Sequence, residues 1–465
     1  VVDIEPAQPG RFSFYACGPT VYDLPHIGHG RQSLVYDVLR RYLTWSGVEV
    51  NHVSNVTDID DQIIKRAQRE DRPPGEVAQQ YEQAHWQAME GLGVLRPTHT
   101  PHATEYVEDM VDLIRRLFDA GFAYTAPDGV YFAAEAVDGY GLLARQSLDS
   151  LRAGARVEAV EGKRSPMDFV LWKLAKPGEP SWASPWGPGR PGWHTECVVM
   201  SLDLLGDGFD LHTGGLDLQF PHHENERAQA VALGKRFARH WMHHAFVEVA
   251  GEKMSKSLGN FTSLADLLAR TDGRAYRLLV VQSHYRSPLE VTAGTISRAE
   301  KTLRRFDDFA ERFGSQFAPL GGSGTGPDGG PAFGELPTLA AAYRGPAERE
   351  ALNRFRSAMD SDLDTPRAAA LVFDLITRAN AAADAGRNEE AEAAAAAVAN
   401  LAGALGLFAK TTVATDVDAD QMAARIDQAR AQKDYETADA LRAELAARGY
   451  AVENTAAGTK VRRGT

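Results

Sequence analysis

One pattern constrains this chain more than any other: a strand–helix–strand alternation that breaks off and starts again far downstream. Residues 12–17 (Phe-Ser-Phe-Tyr-Ala-Cys) are a short, mostly apolar run closed by the turn residues Gly18-Pro19-Thr20. A helix is expected over 28–45, where Leu34, Val35, Val38, Leu39 and Leu43 recur at helical spacing. Gly47 suits its stop. A second strand is expected over 49–53 and a helix over 58–69, and this order implies a parallel sheet covered by helices. Helices follow over 74–92 and 104–120, then a β-rich stretch over 124–174 broken by Asp128-Gly129. Residues 177–192 are crowded with Pro, Gly and Trp, and read as an ordered loop, because Trp182, Trp186 and Trp193 need burial. The alternation then resumes with a helix over 193–205, a strand over 209–212, a helix over 221–234 and a strand over 245–249. The two alternating stretches read as halves of one sheet separated by an insertion, which is an α/β fold.

Beyond residue 264 the alternation ends. The pattern is helical over 264–313, and residues 319–332, rich in Gly, Pro and Ser, read as a flexible linker. Helices resume over 336–385, and the Ala-rich run 389–407 is a strong helix former. A small last unit from 419 reads as a helix pair with a strand-like tail. A chain of 465 residues is long enough for about three domains. With 50 Lys+Arg against 63 Asp+Glu the net charge is −13, so a nucleic-acid partner has to be met by a local basic patch or by shape. No apolar run reaches the ~18 residues of a membrane helix, no basic-then-apolar leader opens the sequence, and two distant cysteines are no disulfide framework. These features point to a reducing cytoplasm and no membrane partner.

Three groups of residues suggest chemistry. Cys17, Cys197, His222 and Glu226 supply two thiolates, an imidazole and a carboxylate, and His222 and Glu226 share a helix face. That set suits zinc, although buried cysteines also serve as small hydrophobes and His–Glu pairs also decorate solvated faces. His26-Ile27-Gly28-His29 follows the first strand at a helix start, where free N–H groups favour phosphate and Gly28 allows close approach. An ordinary helix entrance with two exposed histidines fits the same residues. Lys253-Met-Ser-Lys256-Ser follows a late strand between Gly251 and Gly259, and its lysines can neutralise a leaving pyrophosphate. A solvated basic turn is the alternative. Each motif is weak by itself, whereas the pair in this order, at opposite ends of a split αβ domain, is highly specific.

His-Ile-Gly-His followed by Lys-Met-Ser-Lys-Ser resembles the signature pair of class I aminoacyl-tRNA synthetases. Cys17-Gly-Pro-Thr-Val-Tyr-Asp, Asn55-Val-Thr-Asp-Ile-Asp-Asp, Asp168-Phe-Val-Leu-Trp-Lys, Gly189-Arg-Pro-Gly-Trp-His-Thr-Glu-Cys and Gly214-Gly-Leu-Asp-Leu-Gln-Phe-Pro-His-His-Glu-Asn-Glu resemble the cysteinyl-tRNA synthetases in particular. The resemblance covers nearly the whole chain. It implies a Rossmann-like parallel-sheet catalytic domain in two halves (1–100 and 189–262), a connective insertion (101–188), a stem-contact and helical-bundle domain (263–410) and a small C-terminal anticodon-binding domain (411–465).

The resemblance also implies a reaction and roles. Cysteine is activated by Mg2+-ATP to the adenylate and passed to tRNA(Cys) by a monomer. One Zn2+ per chain is held by Cys17, Cys197, His222 and Glu226 and binds the substrate thiolate, a basis for rejecting serine without an editing domain. Thr20, Thr57 and Trp193 resemble the cysteine pocket. Gly28, Asp217, Val247 and Lys256 resemble ATP contacts, with Asp217 on the ribose and Val247 by the adenine. His26, His29, Lys253 and Lys256 resemble the catalytic phosphate-side residues. The sequence departs from the family at Val461, where Gly-Thr-x-Trp is usual, at Asn454, where Asp is usual, and at His244-Ala245. These departures touch tRNA reading rather than the zinc set. A tRNA-independent cysteine ligase of the mycothiol-ligase type shares both signatures and the zinc set, and is the alternative reading. It is disfavoured by the full helical and C-terminal regions and by the absence of a Glu-Arg-Gly-Gly-Asp-Pro motif.

Overall fold

The computed structural model describes residues 2–145, 162–249, 252–253, 263–314, 324–325, 331–332, 346–409, 417–448, 450–455 and 458–463. Strand β1 (Arg11–Ala16) buries Phe12, Phe14, Tyr15 and Ala16, which fits a central strand covered on both faces. Helix α1 (Ile27–Trp45) crosses back over the sheet, and β2 (Glu49–Ser54) pairs parallel with β1, Phe14 opposite His52. Helices α2 (Asp61–Glu70), α3 (Pro74–Gly91) and α4 (Val107–Asp119) follow. The insertion is an antiparallel sheet of β3 (Ala123–Ala126), β4 (Gly129–Phe132), β5 (Phe169–Leu174) and β6 (Gly189–Pro191), paired in that order. β6 lies in the stretch read from sequence as a loop, because its Gly-Arg-Pro carries no strand pattern of its own. Residues 146–161 of the expected β-rich stretch lie outside the described residues.

Helix α5 (Trp193–Leu205) leads to β7 (Phe209–Gly215), every residue of which is buried. A π-type turn at Gln219–His223 enters α6 (Glu224–Ala232), and β8 (Ala238–His244) comes next. The parallel sheet runs in the order β2-β1-β7-β8. The strand expected over 245–249 is therefore not the fourth strand of this sheet. The strand that joins the main sheet is Ala238–His244, whose Arg, His and Trp content hides it from an apolar-pattern reading but is tolerated at the sheet edge. The short β9 (Val247–Val249) belongs to a separate sheet, antiparallel to β10 (Glu252–Lys253).

Among the described residues the chain continues through α7 (Leu264–Leu268), α8 (Gly273–Val281), β11 (Leu289–Glu290), which pairs parallel with β9, and α9 (Ala293–Arg312). Of the expected linker, Gly324–Thr325 and Pro331–Ala332 pair antiparallel, and the rest lies outside the described residues. Helices α10 (Pro346–Asp360), α11 (Thr365–Asp384) and α12 (Asn388–Ala404) complete the bundle. Their apolar faces share one core with α1, α8 and α9, so the bundle is built onto the back of the sheet. Residues Val1–Ala409 form one compact unit.

The second unit, Lys410–Thr465, has helices α13 (Val417–Ala431) and α14 (Tyr435–Ala447) around Ile426 and Leu445. Its tail is a hairpin of Tyr450–Thr455 with Gly458–Arg463, in which Val452 is opposite Val461. Asp427 accepts from the Thr459 amide and hydroxyl, fixing the hairpin to α13.

Inside the first unit three charges sit out of water. Asp37 accepts from Arg41 at 2.7 Å and from Arg277 at 2.5 Å, all three at most 2% exposed. Burial alone would raise the Asp37 pKa, but the two guanidinium groups reverse this and hold it below the ordinary value. Removing the carboxylate takes away the counter-charge that two buried guanidinium groups share. Asp37→Ala is expected to lower stability by about 3–5 kcal/mol in urea unfolding at neutral pH. The native contribution is complete above the unfolded-state pKa of about 3.9 and is lost as pH falls through the lower folded value. The gap between wild type and variant should therefore narrow in acid, and parallel curves down to that range would contradict it.

Candidate active site

In the strand order the chain moves outward from β1 to β2 on one side and from β7 to β8 on the other, so β1 and β7 flank a topological switch point. Ligands of open α/β sheets bind in the crevice beyond the carboxyl ends of such strands. Cys17 stands there at the end of β1, its amide donating to the Thr213 carbonyl of β7 at 3.1 Å. Cys197 comes from the second turn of α5, His222 from the π-type turn and Glu226 from the first turn of α6. Their ligand atoms all lie within 4.8 Å of one another. The sulfurs are 4.0 Å apart, Cys197 Sγ is 3.6 Å from His222 Nε2, and Cys17 Sγ is 3.7 Å from Glu226 Oε1. His222 Nε2 is 2.8 Å from Glu226 Oε1. Zinc bonds of about 2.0–2.3 Å in a tetrahedron need donors roughly 3.3–3.8 Å apart, so small side-chain adjustments close this set on one ion. All four residues are at most 4% exposed.

A second set shares Cys17 and Glu226 and adds His212 and His223. His212 Nε2 lies 2.7 Å from Glu226 Oε2, and His223 Nε2 lies 3.3 Å from Cys17 Sγ. His223 Nδ1 in turn meets His243 Nε2 at 2.8 Å. The set with two sulfurs is the softer and suits zinc better, which leaves His212, His223 and His243 as an imidazole floor beneath it. The bond with Cys17 holds the Cys197 thiol down at about 6, whereas burial pushes Cys17 up. Burial would lower His222, but the Glu226 carboxylate raises it to about 10.

Outer contacts orient the set. His222 Nδ1 meets His194 Nδ1 at 2.9 Å, so the ring is held from the side away from the sulfurs. Trp193 stacks on His222 at 3.9 Å and stays 38% exposed toward the cleft. Thr57 donates to the buried Glu196 carboxyl at 2.6 Å, and Asn55 donates to Thr57 and accepts from the Gly18 amide. A side chain at Gly18 would collide with the Asn55 carbonyl, so this loop requires glycine.

At the other end of the cleft, His26 is the N-cap of α1 and His29 is its third residue. Each imidazole Nδ1 accepts from the other residue's amide, at 3.3 and 3.2 Å, and the rings stack 3.7 Å apart. One cleft of about 410 Å3 is lined by Cys17, Thr20, His26, Gly28, His29, Thr57, Trp193, Cys197, Asp217, His222 and Val247. The structure thus brings these sequence-selected residues together, with Glu226 buried behind the cysteines. Lys253 ends β10, and Lys256 lies outside the described residues. His194, Glu196, His212 and His243 escape a reading of the sequence. Periodicity offers no signal for them, since their partners are brought in from distant parts of the chain.

This sheet, its switch-point cleft and its inserted sheet are those of a class I aminoacyl-tRNA synthetase. Residues 3–301 match the family model for tRNA synthetases class I (C) catalytic domain, and residues 354–409 match the DALR domain. The methionyl-tRNA synthetase of Mycobacterium tuberculosis, solved with methionyl-adenylate, superposes with a TM-score of 0.58 at 14% identity. That match covers 85% of this chain and 90% of the other and shows a shared fold. The cysteine–tRNA ligase of Halorhodospira halophila is 43% identical over 99% of this chain and 96% of its own length, and that of Alkalilimnicola ehrlichii matches to the same extent. The chain belongs to the cysteine–tRNA ligase family and is an enzyme of that family.

The Thr57 contact has a measurable consequence. Thr57→Val keeps the shape but leaves the buried Glu196 carboxyl without its hydroxyl partner. A loss of about 1–3 kcal/mol in thermal or urea unfolding is expected, and an unchanged midpoint would show that the contact contributes nothing.

Proposed function

We propose that the chain joins L-cysteine to tRNA(Cys) in two steps, using ATP with Mg2+, and that Cys17, Cys197, His222 and Glu226 hold one Zn2+. The observation that carries this reading is the convergence of a soft, buried four-donor set and a helix start bearing two histidines on one cleft. Zinc held by these four residues would supply a soft Lewis acid that favours a thiolate over a neutral hydroxyl, a distinction that shape alone makes weakly between near-isosteres. Trp193, Thr20 and Thr57 wall the cysteine, and His222 keeps its orientation through His194 and the stacked indole.

In the first step the cysteine carboxylate attacks the α-phosphorus of ATP in line, and pyrophosphate leaves. His26 and His29, at the positive end of α1, and Lys253 and Lys256 stabilise charge on the phosphates. Asp217 binds the ribose, the backbone at Val247 and Gly28 receive the nucleotide, and no side chain acts as a nucleophile. In the second step a terminal ribose hydroxyl of the tRNA attacks the activated carbonyl, and AMP leaves. The domain limits drawn from the sequence (1–100, 101–188, 189–262, 263–410 and 411–465) stand as part of this proposal. The separate compactness of Lys410–Thr465 supports a distinct C-terminal anticodon-binding unit. The enzyme is proposed to act as a monomer in the cytoplasm, in keeping with two buried free thiols and no helix long and apolar enough to cross a membrane among the described residues.

The deciding experiment is charging of a tRNA(Cys) transcript with labelled cysteine or serine by purified protein, with metal analysis of the same sample. Cysteine attachment, rejection of serine and one zinc per chain are expected. A folded, zinc-loaded protein that makes adenylate but charges no tRNA would redirect the reading to a ligase with another acceptor. Well under one zinc per chain with full activity would remove the metal.

Lys256→Ala should slow cysteine-dependent ATP–pyrophosphate exchange by roughly 100-fold or more, the scale of losing one charge-stabilising donor. Cysteine affinity, measured by equilibrium binding, should change little. Equal losses in both would contradict the role given to that lysine.

A further inference from the structure

Arg31 follows His29 by two residues on α1 and is 1% exposed. Among the described residues no carboxylate lies within ion-pair distance of it. Its Nη1 donates to the Phe246 carbonyl at 2.7 Å. Its Nη2 faces three carbonyls of one turn: Tyr285 at 3.2 Å, His284 at 3.4 Å, and Ser287. Burial lowers its pKa only to about 10, so the group is charged at neutral pH. Four backbone dipoles thus take the place of a counter-ion, and a buried charge in that setting needs its fork geometry to be matched at every branch.

The two segments it bridges lead to the same place. Phe246 precedes β9, whose antiparallel partner β10 ends at Lys253. The turn at 284–287 precedes β11, the parallel partner of β9. The segments also bond each other, Ala245 N–H to Tyr285 O at 2.8 Å and Leu289 N–H to Phe246 O at 3.0 Å. One guanidinium therefore links the first turns of α1 to the segments that lead into β9 and β11, and Arg31, Phe246 and Val247 line the same cleft as His26 and His29.

We infer that Arg31 is a positioning residue for the activation step: it sets the spacing between His26 and His29 and the Phe246–Val249 segment, so that one bound ATP meets both. This rests on the cleft being the ATP site. A lysine keeps the charge but has a single nitrogen and cannot fork between Phe246 and the 284–287 turn. Tyr276 provides a contrast, because its hydroxyl donates to the Ile27 carbonyl and so ties the same helix start to α8.

The test is ATP–pyrophosphate exchange by the full, zinc-loaded chain as Arg31→Lys, Arg31→Gln and Tyr276→Phe, with rates normalised to folded protein. For Arg31→Lys a rise in the ATP KM of about tenfold and a fall in kcat of roughly 10- to 100-fold are expected, the scale of an ångström-sized misplacement. The cysteine KM should remain within about twofold, since that pocket is built by other elements. Tyr276→Phe should lower the melting temperature and leave the ATP KM unchanged. Arg31→Gln, which buries no charge, is read the same way if the lysine variant does not fold. An unshifted ATP KM in a folded Arg31 variant, or equal rises for ATP and cysteine, would overturn the inference. Absence of exchange in the wild type would instead remove the ATP-site reading, so the two failures are distinguishable.

Discussion

The pairing of β1 with β7 is the joint on which the site depends. Three register positions, Phe14 with Leu211, Tyr15 with His212 and Ala16 with Thr213, join segments almost two hundred residues apart in sequence. The amide of Cys17 extends that ladder by one more bond to Thr213. Because strands in a parallel sheet share a direction, both run out at the same edge, and the segments leaving them meet there. After β1 come Cys17 and then the His26–His29 cap. After β7 come Asp217, His222 and Glu226. Without this joint the two halves have no common cleft.

The floor of the cleft is an unusual place to put so many polar groups. His212, His222, His223 and Glu226 are all at most 1% exposed, and for His222, His223 and Glu226 burial works against the charged form. Glu226 is held ionised mainly by His212 and His222, against the effect of its own burial. Such a set is expensive as structure and reasonable as a metal site, because a cation would give two thiolates, an imidazole and a carboxylate one shared counter-charge. The surrounding His194, Trp193 and His243 then limit how the rings can turn, which is what a selective pocket requires.

Much of the architecture was legible along the chain. The apolar run before Cys17, the amphipathic helix after it and the resumed alternation from Trp193 led to a split parallel sheet, because strands buried on both faces leave continuous apolar runs. The residues proposed for the site could be selected for another reason: phosphate and thiol chemistry restrict which side chains can serve, so His26, His29, Cys17 and Cys197 stand out as types, and the fold brings them to one cleft. The edge strand Ala238–His244 was not legible, since an edge strand that need not bury both faces carries no apolar pattern. The short strand Gly189–Pro191 was missed because its neighbours, not its composition, make it a strand.

What the sequence determined by itself was the class of fold and the kinds of donors available, since periodicity and residue chemistry are local properties. Tertiary structure alone decided which donors share a site. His212 and His223 stand beside Cys17 and Glu226 as close as the chosen ligands do, and only pairwise distances expose that second set. The same holds for Arg31, whose acceptors are all backbone carbonyls. A carbonyl is common to every residue, so no sequence pattern marks the four that surround a buried guanidinium, and only the folded chain brings them together.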